Sequence, residues 1–379
     1  MRLKSLLLRQ FRNYAECRLD WHPDINVIYG KNAQGKTNLL EAISYLSTGV
    51  SFREQSEQKL GNWDSDFFYL EAELEREEDV HIISAGYQQR KKLWKKDGAV
   101  CKKMSQVVGF LHTVVFTPED LEIVKKGPEQ RRHFLDREML QIFGGYHRDL
   151  NTYKKALLQR NNLLKQIEFE RIRSREEQDL LLKPWEEQLA AAGAVITMKR
   201  AAIINRLNEI AGGIHSHLSD GTEQLELTYE PSVLLLAEDN RQDVENQLLD
   251  MYANARPDDL RRGFSTVGPH RDDFRIAING VDARVYGSQG QQRTAALSIK
   301  LSEIELVQEL NGYYPILLLD DVLSELDKNR RAALLEMALD KSQIFITSTD
   351  IDQELLELTR GSFNKYHIEN GTATVNCDE

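Results

Sequence analysis

Cysteine is scarce: Cys17, Cys101 and Cys377 are the three in 379 residues, far apart and with no CxxC pair. That pattern supplies neither a disulfide framework nor a zinc site, and it predicts a reducing cytosol. Long apolar runs are also missing. No stretch approaches the roughly 18 apolar residues that a membrane span needs, which predicts a cytoplasmic chain with no membrane partner. The opening MRLKSLLLRQFRN has only Leu6-Leu7-Leu8 as an apolar centre before charge returns, so it reads as a buried strand and not as a signal peptide. Positive charge is in the minority, 49 Lys and Arg against 60 Asp and Glu, a net charge of −11. This excludes coating of nucleic acid by bulk attraction but leaves room for a local basic face.

What is present is a body with 41% hydrophobic residues, long enough for two or three domains. Basic residues gather at 90–96 (RKKLWKK), Lys102-Lys103, Lys125-Lys126 and Arg131-Arg132, while acid dominates Glu71–Asp79, 168–187 and the chain beyond 300. Strands are predicted at 2–9 and 15–20 around an Arg12-Asn13-Tyr14 turn, at 25–29, and at 67–74, 80–86 and 107–116, with a hairpin turn at Lys96-Asp97-Gly98. Between 147 and 215 the apolar residues fall at helical spacing in two runs that meet at Lys183-Pro184, which suits an antiparallel helical arm or a compact helical subdomain. A third helix is expected at 241–262, a strand at 274–278, a helix at 289–310, strands at 316–319 and 344–347, and a helix at 328–339 between them. A βα pattern at both ends around a helical middle predicts one α/β domain built from both chain ends and interrupted by an insertion. The corresponding division is 1–140, 141–262 and 263–379.

Gly30-Lys31-Asn32-Ala33-Gln34-Gly35-Lys36-Thr37 fits G-x-x-x-x-G-K-[ST], follows a strand and opens a helix. Gly30 and Gly35 let the backbone curl so that N–H groups point at phosphate oxygens, and the helix adds its positive end. Lys36 is placed for the β- and γ-phosphates of ATP, and the Thr37 hydroxyl for Mg²⁺. The complement is Ile316-Leu317-Leu318-Leu319-Asp320-Asp321, an apolar strand ending in two acids. Asp320 would bind Mg²⁺, and Asp321 would orient or deprotonate the attacking water. Lys36 and Asp320 stand near opposite ends of the chain, so something large lies between the halves of one site.

Tyr286-Gly287-Ser288-Gln289-Gly290-Gln291-Gln292-Arg293 leads into a helix and resembles the signature loop of ABC-type ATPases, with Ser288, Gly290 and Gln291 in the S-x-G-Q positions. Gln289 stands where a glycine is usual, and Gly287 where an apolar residue is usual. In that superfamily the loop faces the γ-phosphate held by the opposite subunit. Ser324-Glu325-Leu326-Asp327 is similar to the D-loop, with Asp327 at the dimer seam. Transporters of the superfamily carry a histidine where this chain has Thr347-Ser348-Thr349-Asp350, which leaves Thr347 and Asp350 as candidate γ-phosphate sensors. The superfamily's glutamine loop corresponds to Thr117–Asp120, where no glutamine stands.

With a helical insertion between these motifs, the chain resembles the structural-maintenance and Rad50 branch of ABC ATPases, and within it the RecF family of bacterial recombinational repair. The matching residues are Phe11-Arg12-Asn13-Tyr14, Gly30–Thr37, Phe116 to Leu121, Gly127-Pro128 with Arg131-Arg132 and Phe134-Leu135-Asp136, Gly268 to Asp273, and Leu318 to Val322. The resemblance implies an ABC-type P-loop ATPase head with a coiled-coil-like arm, an ATP-dependent homodimer, and slow DNA-stimulated hydrolysis. It also implies binding to single-stranded, double-stranded or gapped DNA, recombinase loading with RecR and RecO, and a part in SOS induction. A transporter ATPase subunit and a nucleotide-dependent scaffold with negligible turnover are the alternatives. A small-molecule kinase would share the P-loop but would need neither the signature loop nor the D-loop.

DNA contacts are expected at Lys91, Lys92, Lys95 and Lys96, with a solvated charged strand as the equal reading. Arg131-Arg132 could instead pair with local acids such as Asp136. Arg12 and Asn13 lie either against the nucleotide or in a plain tight turn. Residues 268–273 read as a structural turn in preference to a metal site, and His215 and His217 as surface residues near a helix end.

Overall fold

The computed structural model describes residues 1–54, 56–63, 65–76, 79–102, 106–170, 174–351 and 363–376. Cys377 and Lys103 lie outside them. The chain folds as two compact units: Met1–Val124 with Gly213–Glu223 and Ser288–Glu379, and Lys125–Gly212 with Gln224–Gly287. The second unit is therefore wider than the expected 141–262 insertion. It takes in 125–140 and 263–287, and it returns 213–223 to the first unit.

The first unit opens with β1 (Arg2–Phe11), β2 (Tyr14–Asp20), β3 (Ile25–Tyr29) and α1 (Lys36–Thr48). Next come β4 (Phe67–Arg76), β5 (Asp79–Gln88), β6 (Lys91–Lys96), β7 (Ala99–Cys101) and β8 (Thr113–Phe116). The second unit holds α2 (Pro128–Ile142), α3 (Tyr146–Glu170), β9 (Leu225–Glu230), α5 (Arg241–Arg262), β10 (Asp273–Ile278), β11 (Val281–Asp282) and the short α6 (Ala283–Tyr286). Between α3 and β9 runs α4 (Arg175–Leu218), whose residues from Gly213 onward belong to the first unit. The first unit then resumes with α7 (Gln289–Asn311), β12 (Ile316–Asp320), α8 (Lys328–Ala338), β13 (Ile344–Ser348), β14 (Phe363–Glu369) and β15 (Thr372–Asn376).

Two six-stranded sheets make the first unit. In the order β15-β14-β3-β13-β12-β8, the strands from β14 to β8 run parallel. Strands buried on both faces read as unbroken apolar runs, which is why INVIY, ILLLD, TVVF and IFITS share this sheet. The second sheet, β2-β1-β4-β5-β6-β7, is antiparallel, and β4 alternates buried with part-exposed residues as a one-sided strand should. Leu39, Leu40, Ile43 and Leu46 of α1 share one core with Leu6, Leu8, Phe68 and Leu70 of the antiparallel sheet and with Val115, Leu318 and Phe345 of the parallel one. Tyr45 stacks on Trp94 at 5.7 Å in the same core.

Two expectations need correction. The strand expected at 107–116 is confined to Thr113–Phe116: Gly109 takes φ +85°, and the Phe110 amide turns back onto the Val107 carbonyl. The helical break does not fall at Lys183-Pro184 either, because Pro184 lies inside α4. An internal proline costs about 3 kcal/mol, and the buried Leu182, Glu186 and Leu189 around it hold the helix together. The break comes before Arg175, where Ser174 and Glu177 form a reciprocal cap: the Glu177 amide donates to Ser174 Oγ at 3.3 Å and the Ser174 amide to Glu177 Oε2 at 3.0 Å.

Within the second unit, α3, α4 and α5 meet around a fully buried Arg160. It donates to Asp259 Oδ2 at 2.6 Å, Ser265 Oγ at 2.7 Å and Glu186 Oε1 at 2.9 Å. Close by, His270 is satisfied as a neutral ring between the Tyr153 hydroxyl at 2.7 Å and the Ser265 carbonyl at 3.1 Å. Burial, with Arg271 and Arg132 nearby, pushes its pKa down from 6.5 to about 4. The unfolded chain therefore takes up a proton below pH 6.5 that the folded ring refuses until about pH 4, so stability falls as pH drops through that window. The loss should approach about 3 kcal/mol. Urea titrations of wild type and His270→Gln from pH 7 to 4 should show the decline in wild type and a flatter profile in the variant.

Candidate functional site

The site is set by strand register. In the parallel sheet β13 lies between β3 and β12, pairing Thr347 with Ile28 on one side and with Asp320 on the other. The carboxyl ends of all three strands therefore emerge together, where open α/β sheets hold their ligands. Beyond β3 the chain enters the glycine loop, with φ +146° at Gly30, +64° at Ala33 and +120° at Gly35. A Cβ on Gly30 would stand 2.4 Å from the Ile368 carbonyl oxygen, and one on Gly35 would stand 2.7 Å from Asn13 Nδ2, so neither position accepts a side chain.

The loop is braced from two sides. Asn13 Nδ2 donates to the Gln34 carbonyl at 2.7 Å, and the Tyr14 hydroxyl to that of Gly35 at 3.1 Å. The amide of Gly371 donates to the Gln34 carbonyl at 3.1 Å, and the amide of Asn370 to Gln34 Oε1 at 2.7 Å. Lys36 folds back over the loop, with Nζ on the carbonyls of Gly30 at 2.7 Å and Lys31 at 3.2 Å. An ammonium held there by two carbonyls retains donor capacity for an anion.

Thr37 and Asp320 meet despite their separation in sequence: Thr37 Oγ1 donates to Asp320 Oδ1 at 2.8 Å. Thr347 Oγ1 donates to the same oxygen at 2.9 Å and accepts the Asp321 amide at 2.9 Å. Burial raises the Asp320 pKa against the lowering effect of the two hydroxyls. Asp321 sits at φ +51°, an uncommon conformation for a non-glycine residue, of a kind that concentrates at functional sites. It lines a cavity of about 250 Å³ with Asn32, Ser324, Arg331, Thr347 and Ser348. Of the two candidate sensors, Thr347 is therefore in the cluster, whereas Asp350 turns its carboxylate onto the Ile351 amide at 2.8 Å.

The signature and D-loop segments meet each other. Ser288 caps α7 reciprocally with Gln291, the Gln291 amide donating to Ser288 Oγ at 3.2 Å and the Ser288 amide to Gln291 Oε1 at 2.9 Å. Gln289 opens the helix. Asp327 caps α8 and pairs with Arg330, whose Nη2 donates to the Gly290 carbonyl at 3.0 Å and to Thr294 Oγ1 at 2.7 Å. Gln291 Nε2 reaches Glu223 Oε1 at 2.9 Å, and the other Glu223 oxygen meets His215 Nε2 at 3.1 Å. The expectation of a surface His215 is thereby corrected. It is fully buried, with Nδ1 at 3.2 Å from Ser298 Oγ, while His217 is exposed.

Arg131 is likewise not paired with Asp136. Its Nε and Nη2 donate to the two oxygens of Asp273 at 2.7 and 2.6 Å, and Asp136 holds Arg200. In the basic strand β6, Lys92 pairs with Glu57 and Lys96 lies 3.7 Å from the Phe110 ring centroid, while Trp94 points into the core. Lys91 is exposed and Lys95 part-exposed.

Sequence reasoning missed Glu41. Buried in α1, it accepts Arg12 at 2.8 and 2.6 Å and Ser51 Oγ at 2.5 Å. The only sequence signal was an acid on the apolar face of α1. Removing Arg12 would leave that buried carboxylate with only Ser51 and, at 4.0 Å, Arg53, so Arg12→Ala should cost about 3 kcal/mol. Arg12→Met with Glu41→Leu should recover most of the loss in urea denaturation, and an additive loss would refute this reading.

A glycine loop after β3, a Thr–Asp cluster across β13, and a helix-capping signature segment together define an ABC-type P-loop ATPase head. Residues 2–374 match the family described as RecF/RecN/SMC N terminal domain. The chain is 41% identical over 360 residues to the "DNA replication and repair protein RecF" of Staphylococcus carnosus, covering 94% of this chain and 96% of the relative. Two solved structures, of the "recombination mediator protein RecF-ATPrS in RecFOR pathway" and of its RecF-ATP counterpart, superpose with TM-scores of 0.90 and 0.88. Each is 37% identical and covers 99% of this chain and 98% of its own. The chain belongs to the RecF family.

Proposed function

We propose that the protein is a cytoplasmic ATP-dependent DNA-binding protein of recombinational repair and replication, in which ATP closes a homodimer over DNA and hydrolysis reopens it. The observation that carries this reading is the Thr37–Asp320–Thr347 cluster beside the glycine loop. A hydroxyl and a carboxylate are hard oxygen donors suited to Mg²⁺, which binds through one or two carboxylates together with substrate phosphates. Bound there, Mg²⁺ would neutralise charge on the phosphate oxygens. Residues Gly30–Thr37 hold the phosphates through backbone N–H groups and Lys36. Asp321 orients the attacking water and accepts its proton as the water oxygen bonds to the γ-phosphorus and the bond to the ADP oxygen breaks. In the dimer, Ser288, Gln289, Gly290 and Gln291 of one subunit face the γ-phosphate held by the other, and Asp327 crosses the seam.

Family membership over the whole chain favours repair over a transporter subunit, and the "RecFOR pathway" in the description of a relative supports RecR and RecO as partners. Among the described residues no helix is long and apolar enough to cross a membrane. DNA contacts run to phosphates, with Lys91 and Lys95 the better placed of the four strand lysines, so DNA affinity should fall with salt.

Sedimentation of wild type, Lys36→Met and Ser288→Arg with ATP and Mg²⁺, with and without duplex DNA, tests the shared-site clamp. ATP should convert wild type to a dimer and leave both variants monomeric, while Ser288→Arg still binds ATP. Normal dimerisation of Ser288→Arg would reduce residues 288–291 to a helix cap and sink the mechanism.

A further inference from the structure

Two segments that the nucleotide site leaves unused, 126–132 and 268–273, come together inside the second unit. Asp273 takes Arg131, and Arg132 Nη1 donates to the Asp272 carbonyl at 2.8 Å. The Asp272 carboxylate is engaged elsewhere, by the Tyr229 hydroxyl at 2.6 Å and Ser232 Oγ at 2.7 Å. Arg271 donates to the Ser265 carbonyl at 3.1 Å. Arg132 and Arg271 are thus fixed by carbonyls, and both face a cavity of about 480 Å³ also lined by Lys126, Gln130 and Glu129. Three cations against one carboxylate leave it positive. Burial, then the Arg200 charge, lowers the Arg132 pKa against the raising effect of the Asp273 and Glu129 carboxylates.

A second cavity of about 210 Å³ shares Glu129 and Arg132 with the first, and its wall is apolar through Leu150, Leu157, Ile196 and Pro269. Arg200 also lines it. Its Nη1 and Nη2 donate to the Pro269 carbonyl at 2.7 Å and to Asp136 at 2.8 Å, yet its buried Nε has no partner among the described residues. An apolar cavity with few polar groups next to a cationic one matches a flat heteroaromatic ring joined to a phosphate.

We propose that this double cavity binds one nucleoside monophosphate unit, with the phosphate against Arg132, Arg271 and Lys126 and the base in the apolar cavity. A free mononucleotide and the 5′-phosphorylated end of a single strand present the same chemistry. The site lies wholly within the second unit.

The test uses the full chain carrying Lys36→Met, which removes the P-loop lysine. Fluorescently labelled dAMP and a short 5′-phosphorylated single strand are titrated separately, each alongside its unphosphorylated counterpart. Saturable binding of one unit per chain is expected, and loss of the phosphate should weaken it roughly ten- to hundredfold. Arg132→Gln with Arg271→Gln should weaken it to the same degree, Arg271→Lys should retain most of it, and Leu157→Trp should block it by filling the apolar cavity. Binding of the mononucleotide assigns the site to free nucleotides, and binding of the strand alone assigns it to nucleic-acid ends. Absence of both, or unchanged binding in folded Gln or Trp variants as judged by thermal melting, overturns the proposal.

Discussion

The molecule depends on the parallel register of β3, β13 and β12. Thr347 pairs across to Ile28 and to Asp320 at once, so one strand measures the distance between the glycine loop and the acid. A slip of one residue would turn Asp320 to the other face of the sheet and remove its bonds to Thr37 and Thr347. The continuous burial of these strands resists that slip, because every residue from Ile316 to Asp320 has a core neighbour to lose. Two halves of a site written at opposite ends of the chain are therefore joined by strand pairing, with β8 from between them flanking β12 in the same sheet.

Buried charge does a different job. Glu41 with Arg12 ties α1, and hence the end of the glycine loop, to the β1–β2 turn whose Asn13 braces Gln34. Buried ion pairs add little net stability over apolar residues of equal volume, since desolvation offsets their attraction. Their consequence is positional: once α1 is docked, Glu41 has one place to go, and the helix cannot rotate without stranding it. The same holds around Arg160 in the second unit, where Asp259, Glu186 and Ser265 converge from three segments.

Much of this was legible in the sequence because the site is made of short motifs with local causes. The loop 30–37, the ILLLD strand, the hairpin turn at Asp97-Gly98 and the helix 241–262 follow from spacing and turn chemistry, and the structure has them there. The misses have local causes too. A proline at 184 suggests a break by spacing alone, while Ser174 three residues before Glu177 is the stronger helix-start signal. Gly127-Pro128, a helix start with proline in its first turn, announced α2, and the alternation of Leu225, Leu227 and Tyr229 announced β9. What no local rule gives is the partner of a charge. Arg131 has Asp136 at a near-helical spacing but takes Asp273, and His215 near a helix end is buried against Ser298 and Glu223.

The charge balance connects these parts. A body with a net charge of −11 repels a polyanion at long range, so it binds phosphate only where local cations and backbone N–H groups overcome the mean field. Lys36 and the glycine loop form one such place; Arg132 and Arg271 form another. On β6 one cation is neutralised, since Lys92 is held by Glu57, while Lys96 keeps its charge but is fixed over the Phe110 ring. Such a surface confines an anionic partner to a few positions and rejects it elsewhere. A polyanion on such a surface would be oriented by the acidic remainder as much as by the basic patches, and salt screens both at once.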